Sequence, residues 1–256
     1  MSTIIADYGL LTFIGAVAIM LFAGFTKGAV GFALPMICIS GIGSIMPAEI
    51  AIAALILPGL FTNIWQSLRN GLGQAWGSVK RYWKLNLVLL VSIYMFAQLI
   101  VIISEKTLFL ILGISITIFG TVLIVGWKPQ ISAIMARRIE PLVGLVAGFF
   151  GGLSGVWGPP ILLLLLSQNT PKVEMVRVQG ISFLVGAFVL TGAHFQSGLL
   201  NENTTPFSAF MVIPAMIGMA IGFWVQDKLD QAKFRKATLF ILVIAGLNLL
   251  RRGLFG

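Results

Sequence analysis

A succession of uncharged, apolar runs constrains this chain more than any other feature. Each has the length of one membrane crossing, about 20 residues at 1.5 Å per residue across a ~30 Å hydrocarbon core. They are Ile50–Leu68, Leu85–Ser104, Thr107–Trp127, Val178–Leu200 and Phe207–Val225, with a shorter run, Ala237–Leu250, expected to start nearer Ala232. Polar breaks separate them at Arg69-Asn70-Gly71, Lys80-Arg81, Ser104-Glu105-Lys106, Asn201-Glu202-Asn203 and Asp227-Lys228. With 58% hydrophobic and only 10% charged residues, the chain has too little polar surface to cover a water-soluble fold. The expected class is all-α, a polytopic membrane helical bundle.

Two further runs have an awkward length. Tyr8–Ala48 is charge-free apart from Lys27, and Pro141–Pro171 is charge-free throughout. The second would reach about 46 Å as one helix, too long for one span and too short for two. Gly and Pro break both in the middle, so each is expected to be a helix–turn–helix hairpin with partial arms. The two runs also match each other. The segment from Ala23 to Pro35 overlays that from Ala147 to Pro159 at an offset of 124 residues with 6 of 13 positions identical, and Pro47 and Pro171 keep the same offset. Each half, 1–127 and 128–256, then consists of one broken hairpin plus three transmembrane helices.

Charge placement tests that organisation. Eight simple spans would leave nine Lys/Arg on one side and seven on the other. If both awkward runs instead return to their starting side, with the N-terminus outside, the split becomes 13 inside, counting loops such as Lys80-Arg81 and Arg137-Arg138, against three outside, Lys106, Arg251 and Arg252. Cytoplasmic loops are the basic ones, so the second arrangement is expected. Each half then crosses an odd number of times, and the halves form two inverted repeats. No Lys or Arg precedes Lys27, so a cleaved signal peptide is not expected and residues 9 onward read as mature structure.

The glycine patterns Gly24-x3-Gly28-x2-Gly31-x3-Pro35 and Gly148-x3-Gly152-x2-Gly155-x3-Pro159 point to chemistry. Glycine permits a sharp reversal, and proline suits the first turn of a new helix. Unwound backbone at membrane depth survives only where protein or a water-filled cavity satisfies it. Second arms beginning near Phe32–Leu34 and Gly158–Pro160 would present free N–H groups and positive dipole ends, which together suit an anion. The competing reading is that these glycines only allow close helix packing.

Candidate site residues follow from that placement. At the first tip they are Lys27, Gly28, Gly31, Phe32 and Ala33; at the second, Gly152, Ser154, Gly155, Trp157 and Gly158. A charge inside the membrane is costly and marks function by default, although Lys27 could instead snorkel to an interface. Thr62, Asn63 and Gln66 share one helix face, and Gln179 and Ser182 lie three apart on the matching span. Either set could line a cavity or join helices. Arg177 could attract an anion at the inner mouth or be a plain loop charge. His194, the one histidine, reads more as a hydrogen-bonded interface residue than as a proton relay.

Other classes find little support. One His and one Cys cannot build a zinc site, and there is no phosphate-binding loop, so no metal, cofactor or enzymatic activity is expected. The net charge of +9 resides mostly in short loops rather than on a basic, aromatic-interleaved face, so nucleic acid is not an expected partner.

The duplicated segments Gly28-Ala29-Val30-Gly31-Phe32-Ala33-Leu34-Pro35 and Gly152-Leu153-Ser154-Gly155-Val156-Trp157-Gly158-Pro159-Pro160, each followed by three spans, resemble the TauE/SafE family of sulfite exporters, also called the toluene sulfonate uptake permease family. Phe32-Ala33 and Val156-Trp157 stand where extra glycines are common in that pattern. The resemblance covers essentially the whole chain. It implies a multi-pass protein of the bacterial inner (plasma) membrane that moves sulfite, sulfonate, sulfoacetate or a related sulfur-containing anion. The expected partners are that anion, membrane lipid and a second copy as a homodimer. An anion channel and a non-transporting scaffold or lipid enzyme are the alternatives.

Overall fold

The computed structural model describes residues 2–69, 77, 80–127, 130–225 and 230–255; among these the secondary structure is helical, with no strand. The polar breaks expected at Asn70-Gly71 and Asp227-Lys228 lie outside the described residues. In chain order the helices are α1 (Ser2–Tyr8), α2 (Leu10–Val30), α3 (Leu34–Ile42), α4 (Ala48–Arg69), α5 (Trp83–Ala97), α6 (Glu105–Val125), α7 (Ala133–Ser154), α8 (Gly158–Ser167), α9 (Lys172–Gln196), α10 (Thr204–Val225) and α11 (Gln231–Phe255). A 3-10 turn, Gln98–Val101, extends α5. Among the described residues seven helices, α2, α4, α5, α6, α9, α10 and α11, are long and apolar enough to cross a membrane.

Most helices outrun the apolar runs that announce them, because charged and capping residues at the interface remain helical. Ser104 caps α6 by accepting from Thr107 N at 3.3 Å, which carries Glu105 and Lys106 into its first turn. Ser132 caps α7 by accepting from Met135 N at 3.2 Å. That helix therefore begins eight residues before Pro141, which sits inside it. The Arg81 guanidinium holds the buried Glu140 carboxylate at 2.7 Å, neutralising a charge that would otherwise be stranded at the start of the apolar part of α7.

Both awkward runs are hairpins, but their arms are unequal, not both partial as expected. The first arms, α2 with 21 residues and α7 with 22, have full span length; the return arms α3 and α8 have only nine and ten. Gly41 on α3 lies against Ile19, and Gly15 on α2 faces Ile45, so α3 folds back along α2. In the second hairpin, Ile131 N donates to Ser167 O at 3.5 Å and brings the end of α8 to the start of α7. The next span in each half therefore starts on the side from which its hairpin set out.

Glycines set the helix pairing. A Cβ at Gly24 or Gly28 would run into backbone of α10 at Ala215 or Met219, and one at Gly218 or Gly222 into backbone of α2 at Leu21 or Phe25. Helices α2 and α10 thus touch backbone to backbone and run parallel. The pair α5 and α7 repeats the arrangement. A Cβ at Gly144 would lie 2.7 Å from Leu85 O, and one at Gly152 2.7 Å from Ile93 O. Small residues let helices approach where lipid supplies no hydrophobic drive toward association.

Two further pairs run antiparallel. Between α4 and α9, Asn63 Nδ2 donates to Phe183 O and Ser67 Oγ to Gly180 O, both at 3.1 Å. Between α6 and α11, Gly113 faces Leu250 while Gly120 faces Val243. Arg252 lies on the side away from the basic loops and is engaged there. Its guanidinium donates to the carbonyls of Gly43 and Met46, at the end of the short helix α3, and stacks 4.3 Å over the Phe109 ring. A cation at a helix C-terminus is where the dipole favours it.

Two outcomes follow. Asn203 is exposed in the α9–α10 connection and Cys38 is fully buried, so Asn203→Cys should react in intact cells with an impermeant maleimide. Reaction only after permeabilisation would reverse the orientation. Gly218→Val should lower stability by about 1–3 kcal/mol, the range for overpacking a tight contact, read as a lower thermal midpoint in detergent.

Candidate functional site

The two helix breaks are built alike. Helix α2 ends at Gly31 with φ 86°, its N–H bonded to Lys27 O at 2.7 Å; α7 ends at Gly155 with φ 70°, its N–H bonded to Gly151 O at 2.7 Å. Both are left-handed C-caps that glycine adopts freely. After each the chain turns within two or three residues into a helix with proline in its first turn and no side-chain cap. Ala33, which precedes α3, takes φ 79°, a conformation that strains any residue with a Cβ. Gln66 Nε2 fixes the first break to α4 through Gly31 O at 3.1 Å.

The breaks meet around a cavity of about 50 Å³. One water needs about 10–15 Å³ on that scale, so the space suits a few heavy atoms. Phe32, Ala33 and Pro35 line it from one break and Gly155 to Pro159 from the other; Leu55, Gly59 and Asn63 on α4 and Phe183, Ala187 and Leu190 on α9 close the sides. The charged group in this lining is Lys27, itself only 3% exposed. Its Nζ donates to Thr62 Oγ1 at 2.9 Å and to Asn63 Oδ1. It belongs to neither ion pair found among the described residues, Arg81–Glu140 and Lys233–Asp230.

The halves differ where this cluster sits. At the 124-residue offset Lys27, Thr62 and Asn63 correspond to Gly151, Gly186 and Ala187. Trp157 occupies the space those small residues leave. A Cβ at Gly151 would lie 2.9 Å from its ring, and one at Gly186 would lie 3.2 Å from it. The indole packs edge-on against Phe183, with centroids 6.3 Å apart. One half thus presents a lysine nitrogen to the cavity, and the other fills the equivalent volume with an aromatic wall.

The structure gathers Lys27, Phe32, Ala33, Asn63, Gly155, Trp157 and Gly158 in this lining, with Gly31 and Gln66 at its edge. Other expected site residues lie elsewhere. Gly28 packs on α10 and Gly152 on α5, since backbone approach requires glycine there. Ser154 is turned back on its own helix and bonds Phe150 O at 2.6 Å. Ser182 donates to Asn86 Oδ1 at 2.6 Å and joins α9 to α5, and the half-buried Gln179 does not line the cavity. The Arg177 side chain lies outside the described ones. His194 is fully buried near the end of α9, 3.4 Å from Ser197 Oγ, away from the cavity lining. The sequence reading missed Leu55, Gly59, Phe183, Ala187 and Leu190, whose apolar character is indistinguishable from packing; the level of the breaks along α4 and α9 was the signal that could have found them.

The prolines limit what the second helix end can donate. Pro159 and Pro160 fall within the first turn of α8, and neither has an N–H. The Lys27 nitrogen is therefore the main side-chain donor bordering the cavity, with backbone N–H groups near Leu34 and Gly158 beside it, rather than two equal helix ends.

Seven helices among the described residues that are long and apolar enough to cross a membrane make the chain a multi-pass membrane protein. A family model described as sulfite exporter TauE/SafE matches residues 16–249, and the chain belongs to that family of exporter-type membrane transporters for sulfur-containing anions. Comparisons with curated proteins and with solved structures give no match. A bacterial inner-membrane location is consistent with the family.

The strain at Ala33 gives a test of the local backbone. Ala33→Gly should raise stability by about 0.5–1 kcal/mol, because relief of left-handed strain exceeds the entropy glycine adds to the unfolded chain. A lower thermal midpoint would contradict the positive φ.

Proposed function

We propose that this protein is a secondary transporter that binds a small sulfur oxyanion, of the sulfite or short-sulfonate class, in the cavity between the two helix breaks. The observation that carries the reading is Lys27. It is a buried lysine nitrogen with neutral partners, facing a cavity of a few atoms' size. Burying a cation without a counterion is costly, so an anion bound there favours the charged form of this lysine. The apolar remainder of the lining keeps the interaction at low dielectric, where one charge pair acts strongly. The tight volume favours sulfite or methanesulfonate over an arylsulfonate.

Alternating access follows from treating the halves as inverted repeats. Antiparallel pairing of α4 with α9 and of α6 with α11, and the matched parallel pairs α2–α10 and α5–α7, support that treatment. Each broken hairpin packs on a span from the opposite half. A rocking unit would accordingly combine α2 and α3 with α10, or α7 and α8 with α5, and would open the cavity to one side at a time. Lys27 then acts as the charge that selects an anion, while Trp157 and Phe183 restrict its size.

Thermal-shift measurement with purified protein tests the site. Sulfite should raise the midpoint through preferential binding to the folded state. Lys27→Met should weaken sulfite binding by about 1.5–3 kcal/mol, the loss expected for a charged hydrogen bond, while the unliganded protein stays folded. Unchanged affinity in Lys27→Met would remove the lysine from the site.

A further inference from the structure

We propose that Lys27 binds a proton together with the anion, so that the empty site holds a neutral amine, the loaded site holds an ammonium, and one proton accompanies each anion across the membrane. This deepens the anion-site reading above and rests on it. The argument is an inventory of donors and acceptors. A neutral amine offers two N–H groups and a lone pair, whereas an ammonium offers three N–H groups and no lone pair. Nζ has two protein acceptors, Thr62 Oγ1 at 2.9 Å and Asn63 Oδ1.

Both acceptors are held in that role by other bonds. The Thr62 hydroxyl donates to Pro58 O at 2.6 Å, one turn back on α4, which leaves its oxygen to accept. Asn63 Nδ2 donates to Phe183 O at 3.1 Å, which turns Oδ1 toward the lysine. Two acceptors satisfy a neutral amine. The third hydrogen of an ammonium meets no protein acceptor among the described residues, and Nζ borders the cavity. An anion there supplies the missing acceptor and the counter-charge.

No other titratable group of the described residues shares the cavity with it. Helix α2 carries no second charge, and α8 and α10 carry none. On α3, the Cys38 thiol is occupied with Ala51 O. On α4, Glu49 is exposed in the first turn, at the opposite end from Asn63. On α9, His194 is buried beside Ser197; on α11, Lys233 and Lys236 are exposed. The proton balance is therefore local. On loading, the Lys27 lone pair takes a proton from solvent on the open side; on unloading, that N–H bond breaks and the proton leaves to solvent. A monoanion then crosses without net charge and a dianion with one negative charge.

Isothermal titration of the wild-type protein with sulfite, in buffers of differing ionisation enthalpy at about pH 8.5, measures proton uptake by linkage. Sulfite is a dianion there and would itself take up a proton if it were bound as bisulfite, so the Lys27→Arg variant separates the two sources. We expect about one proton per anion bound, and about tenfold weaker binding for each unit of pH between about 8.5 and 9.5. Lys27→Arg, which keeps its charge throughout, should bind sulfite with no uptake. Binding by the wild type without uptake and without pH dependence overturns the proton role alone, as does undiminished uptake in Lys27→Arg. Absence of sulfite binding by the wild type overturns the anion site itself.

Discussion

The Lys27 side-chain nitrogen is buried among apolar walls, held by one hydroxyl and one amide oxygen, with no carboxylate beside it. Much of the architecture serves to make that position tolerable and useful. Lys27 lies four residues before the glycine that ends α2, so its own carbonyl accepts the C-cap bond and its side chain emerges at the break. The partner helix α4 supplies acceptors from adjacent residues, and α9 fixes one of them through the Phe183 carbonyl. A charge in hydrocarbon is expensive unless it faces protein or a cavity. Here it faces both, so under the proposed scheme its charged form is favoured when an anion sits beside it.

Glycine supports that site in two distinct ways. At Gly31 and Gly155 it accepts a left-handed conformation that lets a membrane helix stop and reverse. At Gly24, Gly28, Gly148 and Gly152 it removes a side chain, so that each long arm lies backbone to backbone on a span from the other half. Hairpin and span are thereby locked into common units. The halves remain chemically unequal, since Trp157 fills the space that the lysine cluster claims on the other side. A single positive group suits one small anion; two opposed ammonium groups in so small a cavity would repel each other.

Much of this was legible in the sequence because it depends on charge and length. The span-length runs found the membrane helices, and the repeated Gly–Pro segments located both breaks. The arm lengths were misjudged because Arg137, Arg138 and Glu140 suggested an end to the second hairpin. A serine cap and the Arg81–Glu140 pair instead keep that stretch helical. Within the glycine motif, spacing alone cannot tell a packing glycine from a turning one; the difference lies in which backbone comes close, a tertiary fact. Asn63 and Gln66 were visible as polar groups on an apolar helix. Phe183, Ala187 and Leu190 were not, because an apolar cavity wall and an apolar core have the same composition.

The central claim is that a small sulfur oxyanion binds between the two breaks and crosses by alternating exposure of that one site. Counterflow in proteoliposomes tests it most directly. With unlabelled sulfite inside and a trace of labelled sulfite outside, a carrier exchanges one for the other and transiently accumulates label above its external concentration. The account predicts such accumulation by the wild-type protein, and its loss when the internal sulfite is omitted. Label that merely equilibrates at the same rate with or without internal sulfite would contradict it, since a continuous pore does that and an alternating site does not.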